Sequence, residues 1–590
     1  MSLYREGQTT AMGPPAGQAY RTPIPLPFEL AQHTGIFFEE KLYTQALTLL
    51  FNTLSSGTYA SKHALLPRPQ HLSLAVTLLV HPSTTTRAKS AEEKEAAGAA
   101  LRLLRLLITL VRPQEAGLGE AFSFTLASSR SGRRQNAENN SASTESEHVK
   151  GLQIDLSTSN SLWTRAQDFW HAVGWAFNCS VNHPERWERW QIWLSFMCDV
   201  IEDDWNDRVA ALEAEEGTEQ SETESDHRRS RVKERGDRTV LRESLLYQYM
   251  TSGASSGRLR RITRAIFADG SSTSVNEFGQ VFSTELKALG TNDKTESVKK
   301  RVREVNIDQE EYGDYLEDET DGDNNDFPGL DGLPSVASTP QSAAPNGNAR
   351  RSKRTRRGTR SAPDPAGAQP VKTADAGQSS HGTGVSSMGG IHAIGLRKRL
   401  LQFLAQAASF LPGDFEPVYN LFHLFVEHIR PLPLPVFQAI VSPFVTPELS
   451  DAGQTTLCEL LIARLQESAA PRSDEDYMTQ AKLEDCLLPY AAASSTVADN
   501  AKISILLEAL IILLADDGML VITPTFKKAL ESGIQRRSEQ LDGGSRRGRK
   551  NDKKSSGSDS FELVCLIESA ERLVYLMDLV PQDNATGTTF

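Results

Sequence analysis

The stretch PERWERWQIWLSFMCDVIEDDW, residues 184–205, decides the fold class of this 590-residue chain. At about 100° of rotation per residue, a helix over this stretch collects large apolar side chains on one face. They are Trp187, Trp190, Trp193, Met197, Ile201 and Trp205. A helix that is apolar over most of its circumference is typically buried, and tryptophan brings a large area to bury. We expect these side chains to form a structural core; left exposed, they would form a partner-binding face.

Apolar residues recur every three or four positions through most of the chain, and alternating strand patterns are almost absent. This periodicity predicts an all-α protein, an irregular helical array for which a solenoid of HEAT-like helix pairs is one form. No self-similarity appears at the periods of known helical repeats, so no repeat family is assigned. Single helices are expected at 161–177, 184–214, 275–289 and 560–579.

Several segments are too polar, too rich in small residues or too charged to offset the chain entropy that folding removes. They are 1–28, 127–158, 211–238, 306–393, 537–558 and 581–590. We predict disorder there: tails at both ends, two loops, a long linker and a charged insertion. Two helical domains remain, 29–305 and 394–580, and the sequence leaves their relative placement open. The tryptophan helix is expected to organise the first domain alone.

Two basic clusters lie in the segments predicted to be disordered. In the linker, ten carboxylates between Asp308 and Asp326 precede a run of arginines and lysines. That run is Arg350, Arg351, Lys353, Arg354, Arg356, Arg357 and Arg360. A secondary patch in the insertion is Arg546, Arg547, Arg549, Lys550, Lys553 and Lys554. Such density is typical of a nuclear-import signal or a phosphate-binding arm, and a solvated charge run is the alternative.

Composition restricts the compartment and the partners. A net charge of −13 argues against nucleic-acid binding by the whole chain, and no aromatic residue interleaves with the basic run to stack bases. The five cysteines form no C-x-x-C and lie mostly in apolar patterns, as expected for reduced, buried thiols. The most apolar run, Ile503–Ala515, is shorter than the ~20 residues that cross a bilayer. We expect a soluble intracellular protein without a membrane contact.

The sequence contains almost no catalytic pattern. No phosphate-binding loop, dinucleotide fingerprint, zinc motif or calcium loop is present. Gly253–Gly257 matches the G-x-S-x-G elbow around Ser255, but that elbow needs a strand before it, and a helix is expected there. An aromatic cage of Trp187, Trp190 and Trp193 is a weaker alternative, because a cage draws rings from several elements. We expect no catalytic residue, no metal, no cofactor and no small-molecule substrate.

These observations favour a non-enzymatic helical scaffold or adaptor in a nuclear multiprotein assembly, of the chromatin-associated or genome-maintenance kind. The partners would be proteins, with nucleic acid contacted through the basic arms as a further option. The alternatives are a nucleic-acid-binding protein that uses its basic segments and, more weakly, a cytoplasmic scaffold. The sequence does not identify the partners, the pathway or the oligomeric state.

Overall fold

The computed structural model describes residues 20–56, 63–124, 152–219, 238–252, 257–286, 384–445, 448–473, 475, 477–545 and 558–580. The basic clusters at 350–360 and 546–554 lie outside these residues. Within them the chain is mostly helical, and the all-α prediction is confirmed. The helical parts are separated in sequence by 287–383.

The first part of the chain contains twelve described helices, several of which begin at recognisable caps. Ser90 and Glu93 form a reciprocal capping box at the start of α4, and Pro184 takes the first position of α8, where a missing N–H is tolerated. The helices are α1 Phe28–Glu39, α2 Tyr43–Ser55, α3 Pro69–Val80, α4 Ala91–Leu110, α5 Leu118–Ala121, α6 Leu162–Arg165, α7 Phe169–Asn182, α8 Pro184–Glu219, α9 Thr239–Arg242, α10 Leu245–Thr251, α11 Arg258–Ile266 and α12 Ser272–Glu277.

The second part adds eight described helices around α18, which is buried on nearly all sides. Its first turn is capped by Thr496, whose hydroxyl accepts from the Asp499 N–H. Asp517-Gly518 ends it in a turn, with Gly518 at φ +67°. The helices are α13 Gly390–Phe410, α14 Val418–Ile429, α15 Leu434–Val441, α16 Asp451–Leu465, α17 Gln480–Lys482 (followed by a π-helical turn, Leu483–Leu487), α18 Val497–Asp516, α19 Pro524–Ser545 and α20 Ser558–Leu579.

The helix α8 that carries the tryptophans lies in the core. Its six predicted side chains, at positions 187, 190, 193, 197, 201 and 205, are between 0 and 8% exposed. Trp190 and Trp193 meet edge to face with ring centroids 5.3 Å apart, the geometry that aromatic quadrupoles favour. These six side chains therefore belong to the core. The rings of Trp187, Trp190 and Trp193 are buried, so they do not form an aromatic cage that is open to solvent.

The two predicted helical domains pack into one compact unit, Met1–Lys287 with His381–Phe590. Arg399 of α13 donates to Asp199 of α8 at 2.7 Å and also pairs with Glu202. Trp205 meets Phe410 edge to face, with ring centroids 5.9 Å apart. The expectation that the tryptophan helix organises the first domain alone is wrong, because its residues Asp199, Glu202 and Trp205 contact α13.

Five predicted boundaries need correction where the chain is described. In the predicted tail 1–28, strand β1 Pro23–Pro25 pairs in parallel with β2 Ala64–Leu66. In the predicted loop 127–158, Leu152 and Ile154 are buried. Helices also enter three segments predicted to be disordered: α8 runs to 219, α13 begins at 390, and α19 runs to 545. Polarity does not stop α8 at 211, because the alanines, leucine and glutamates that follow are good helix formers.

Two predicted helices also differ. The helix expected at 161–177 is broken, because Asp168 caps a new helix by accepting from the His171 N–H at 2.8 Å. The helix expected at 275–289 ends at Glu277. Phe278 then packs where Gly174 leaves room; a Cβ on Gly174 would lie 2.3 Å from the Phe278 ring. Contacts with α7 replace the helix there.

Candidate protein-binding surface

The residues singled out in the sequence are not brought together into a catalytic site in the part of the chain that is described. The basic runs and Ser255 lie outside it. Helix α10 precedes the G-x-S-x-G segment and helix α11 follows it, whereas the elbow needs a strand before its serine. The cysteines are free, four of them buried, and burial raises the pKa of Cys198 and of Cys458 to about 12.

One buried charged cluster was not anticipated. The Glu285 carboxylate, fully buried, accepts hydrogen bonds from the Trp175 indole at 3.0 Å and the Trp190 indole at 2.6 Å. Arg186 pairs with it at 2.6 Å and also donates to the Thr85 hydroxyl. The carboxylate is thus both paired and hydrogen-bonded, as a buried charge requires. The cluster joins α7, α8 and the segment after α12, which is a structural role.

An open groove lies between the start of α11 and α14. It has a volume of about 600 Å³ and is lined by Arg258 and Arg260 on one side and by Glu416 and Glu427 on the other. The ring of His423 also lines it. Both signs of charge are present at the same groove, so its electrostatics favour no single class of ligand.

Helix α20 has a surface of a different character. Its inner side packs on α18, where Arg572 pairs with Glu508 at 2.9 Å and Leu573 is fully buried. Its outer side exposes seven large apolar residues, each 38–62% accessible. They are Phe561, Leu563, Val564, Ile567, Val574, Tyr575 and Leu579. We call them, with the acidic residues between them, the outer face of α20.

The outer face of α20 is also acidic. Its remaining exposed side chains between 561 and 580 are Glu568, Glu571 and Asp578. The only basic residue of that stretch is Arg572, which is engaged with Glu508 and Glu568. Single exposed apolar residues are ordinary on a protein surface, but seven of them on the outer side of one helix favour an interaction site. This face can bury apolar area against a partner, and it offers no catalytic chemistry.

Two negative findings apply to the described residues. No group of three or more histidine, cysteine or carboxylate side chains there could hold a metal ion. No helix there is long and apolar enough to span a membrane.

Comparison with known proteins gives no family. No protein-family model matches the chain, no curated protein matches it, and no solved structure matches it. The surface must therefore be interpreted from its own residues.

The outer face of α20 was missed in the sequence, although its helix was predicted at 560–579. The available signal was an excess of apolar residues around most of the circumference, as in the tryptophan helix. In the tryptophan helix those apolar residues are buried; in α20 seven of them are exposed. Whether the apolar side chains of such a helix are buried or exposed depends on how many neighbouring helices pack around it. The periodicity of the sequence does not give the number of neighbours.

Proposed function

We propose that this protein is a non-enzymatic helical scaffold that binds other proteins. The observation that carries the proposal is the outer face of α20, a row of exposed apolar side chains on a helix whose inner side is held by the core. Anchored apolar side chains supply most of the affinity at protein interfaces. A rigid helix presents them with little loss of entropy on binding.

The test is a quantitative affinity purification of the full chain carrying Ile567→Asp and Val574→Asp. Both residues are exposed, so the substitutions leave the core intact and place two charges on the face. We expect the co-purified proteins bound through the face to fall at least tenfold. Tyr477→Asp is the matched control, because Tyr477 is an 82% exposed aromatic residue outside α20. An unchanged set of partners in the double variant would contradict the proposal.

We further propose that the scaffold acts in the nucleus, in a chromatin-associated or genome-maintenance assembly. The support is the basic run at 350–360, whose composition is that of an import signal. Deleting 350–360 should move a fluorescently tagged chain from nucleus to cytoplasm, whereas deleting the neighbouring stretch 362–372, which contains a single lysine, should not. A nuclear signal that survives the first deletion would remove the support for this location.

A further inference from the structure

The exposed side chains of α20 restrict the kind of partner that fits them. Between 561 and 580 the outer face presents seven apolar and three acidic side chains, and the one basic residue of this stretch, Arg572, is engaged with Glu508 and Glu568. From Phe561 to Leu579 the face is about 27 Å long at 1.5 Å per residue. A partner must cover this length with apolar groups and place positive charge beside Glu571 and Asp578, since unpaired carboxylates at an interface are costly. Glu568 is already paired with Arg572.

A second copy of the chain does not meet these requirements. Glu568 and Glu571 lie near the middle of the row from 561 to 579. An antiparallel pair of α20 helices would bring these carboxylates of one copy against those of the other. A parallel pair would also align like charges, and Arg572, the basic residue of this stretch, is already engaged with Glu508 and Glu568 of its own chain. Like charges held together disfavour a complex.

The basic segments of the chain itself meet the requirements only in part. Neither 350–360 nor 546–554 contains an apolar residue. Residues 298–305, VKKRVREV, combine valines at helical spacing with lysines and arginines. Their valines would span only about 10 Å of helix, which is less than half of the outer face. A longer basic helix is needed to cover it.

We propose that the outer face of α20 binds an amphipathic helix of another protein whose apolar stripe is flanked by lysines and arginines. The proposal rests on the proposed function and specifies its partner. Apolar residues of the incoming helix at i, i+3, i+4 and i+7 would lie against Ile567 and Val574. Its basic side chains would lie beside Glu571 and Asp578, which gives the interface both affinity and choice of partner.

The test measures fluorescence anisotropy of two labelled peptides with the full chain. Both peptides carry leucines at i, i+3, i+4 and i+7; one has lysines at the remaining positions and the other has glutamates. We expect the lysine peptide to bind at least tenfold more tightly. The double variant Glu571→Lys, Asp578→Lys should abolish or reverse this preference. Ile567→Asp should lower the affinity for the lysine peptide at least tenfold. The control Tyr477→Asp should leave the affinity for both peptides unchanged.

Each remaining outcome overturns the inference in a recognisable way. If both peptides bind equally and Ile567→Asp weakens both, the face binds proteins but the basic partner is wrong. If the lysine peptide does not bind, or binds equally well to the Ile567→Asp variant, the inference fails. A dimer in light scattering that Ile567→Asp dissociates would make a second copy the occupant. Tighter peptide binding after deletion of 288–380 would make the occupant a segment of this chain.

Discussion

The indole Nε1 of Trp190 donates a hydrogen bond of 2.6 Å to Oε1 of Glu285, which lies 95 residues further along the chain. The same carboxylate pairs with Arg186 and with the Trp175 indole. One acidic side chain thus neutralises a buried arginine and satisfies two buried indoles. Glu285 also holds the segment that follows α12 against α7 and α8.

Glu285→Ala should lower the free energy of unfolding by about 3–5 kcal/mol, because it leaves Arg186 buried without its anionic partner. Chemical denaturation followed by tryptophan fluorescence measures this. Arg186→Met with Glu285→Met should be less destabilising than the sum of the two single changes, since no unpaired charge remains. Additive losses would show that the two side chains do not act as a pair.

Gly174→Ala should destabilise the protein by about 1–3 kcal/mol through overpacking. A Cβ at this position would lie 2.3 Å from the Phe278 ring, which has to move. Gly98→Ala is the control, because Gly98 is also helical and its nearest neighbour would lie 3.9 Å from the new methyl group. We expect that change to stabilise the protein by about 0.5–1 kcal/mol. Equal effects at both positions in thermal denaturation would refute the close approach of Phe278.

Asp203 should make stability depend on pH. Burial, and then the neighbouring Asp199, Glu202 and Asp207, raise the pKa of this carboxyl from 3.8 to about 6. The folded protein holds this proton more firmly than the unfolded chain, so the contribution of Asp203 to stability falls as pH rises from 3.8 to 6. Asp203→Asn should therefore gain stability relative to the wild-type chain across this window. Denaturation of both chains at several pH values measures the difference, and a constant difference would contradict the shift.

Replacing 288–380 by a glycine-serine linker of ~20 residues, with an end-to-end distance of about 25 Å, should leave the described fold intact. Both ends of the replaced segment are close to α7. Before it, Glu285 accepts a hydrogen bond from the Trp175 indole. After it, Gly389 approaches Ser180 so closely that a Cβ on Gly389 would lie 2.1 Å from the Ser180 hydroxyl oxygen. These positions on α7 are about 7.5 Å apart along its axis. We expect an unchanged or slightly higher melting temperature, because a shorter loop loses less entropy on closure. Loss of cooperative unfolding in calorimetry would show that 288–380 contributes to the core.

The helical character of the chain and the importance of the tryptophan stretch are readable from local pattern. The spacing of Trp187, Trp190 and Trp193 at three residues defines a face, and the chemistry of tryptophan predicts burial. Pro184 and the apolar run at Ile503–Ala515 likewise indicate where helices begin and continue. These features depend on residues within a few turns of each other, and α8 and α20 lie close to their expected bounds.

The sequence predictions that the structure contradicts are wrong because the residues concerned contact partners far away in the sequence. Glu285 lies in a segment expected to be helical, yet the two indoles and the guanidinium that bind its carboxylate are 95 to 110 residues away. Strand β1 exists only because β2 lies about forty residues further on. A polar or proline-rich segment becomes ordered when a distant element forms hydrogen bonds with its backbone N–H and C=O groups. The local sequence does not show where that distant element is.

Local pattern is enough to predict an all-α chain built around a tryptophan-rich helix, because helical periodicity and apolar composition are local properties. The packing of the two helical parts into one core depends instead on residues about 200 positions apart, such as Arg399 of α13 with Asp199 and Glu202 of α8. The same long-range packing covers α8 and leaves one apolar face of α20 exposed. Burial depends on which helices surround a given helix, and that is a property of the assembled fold.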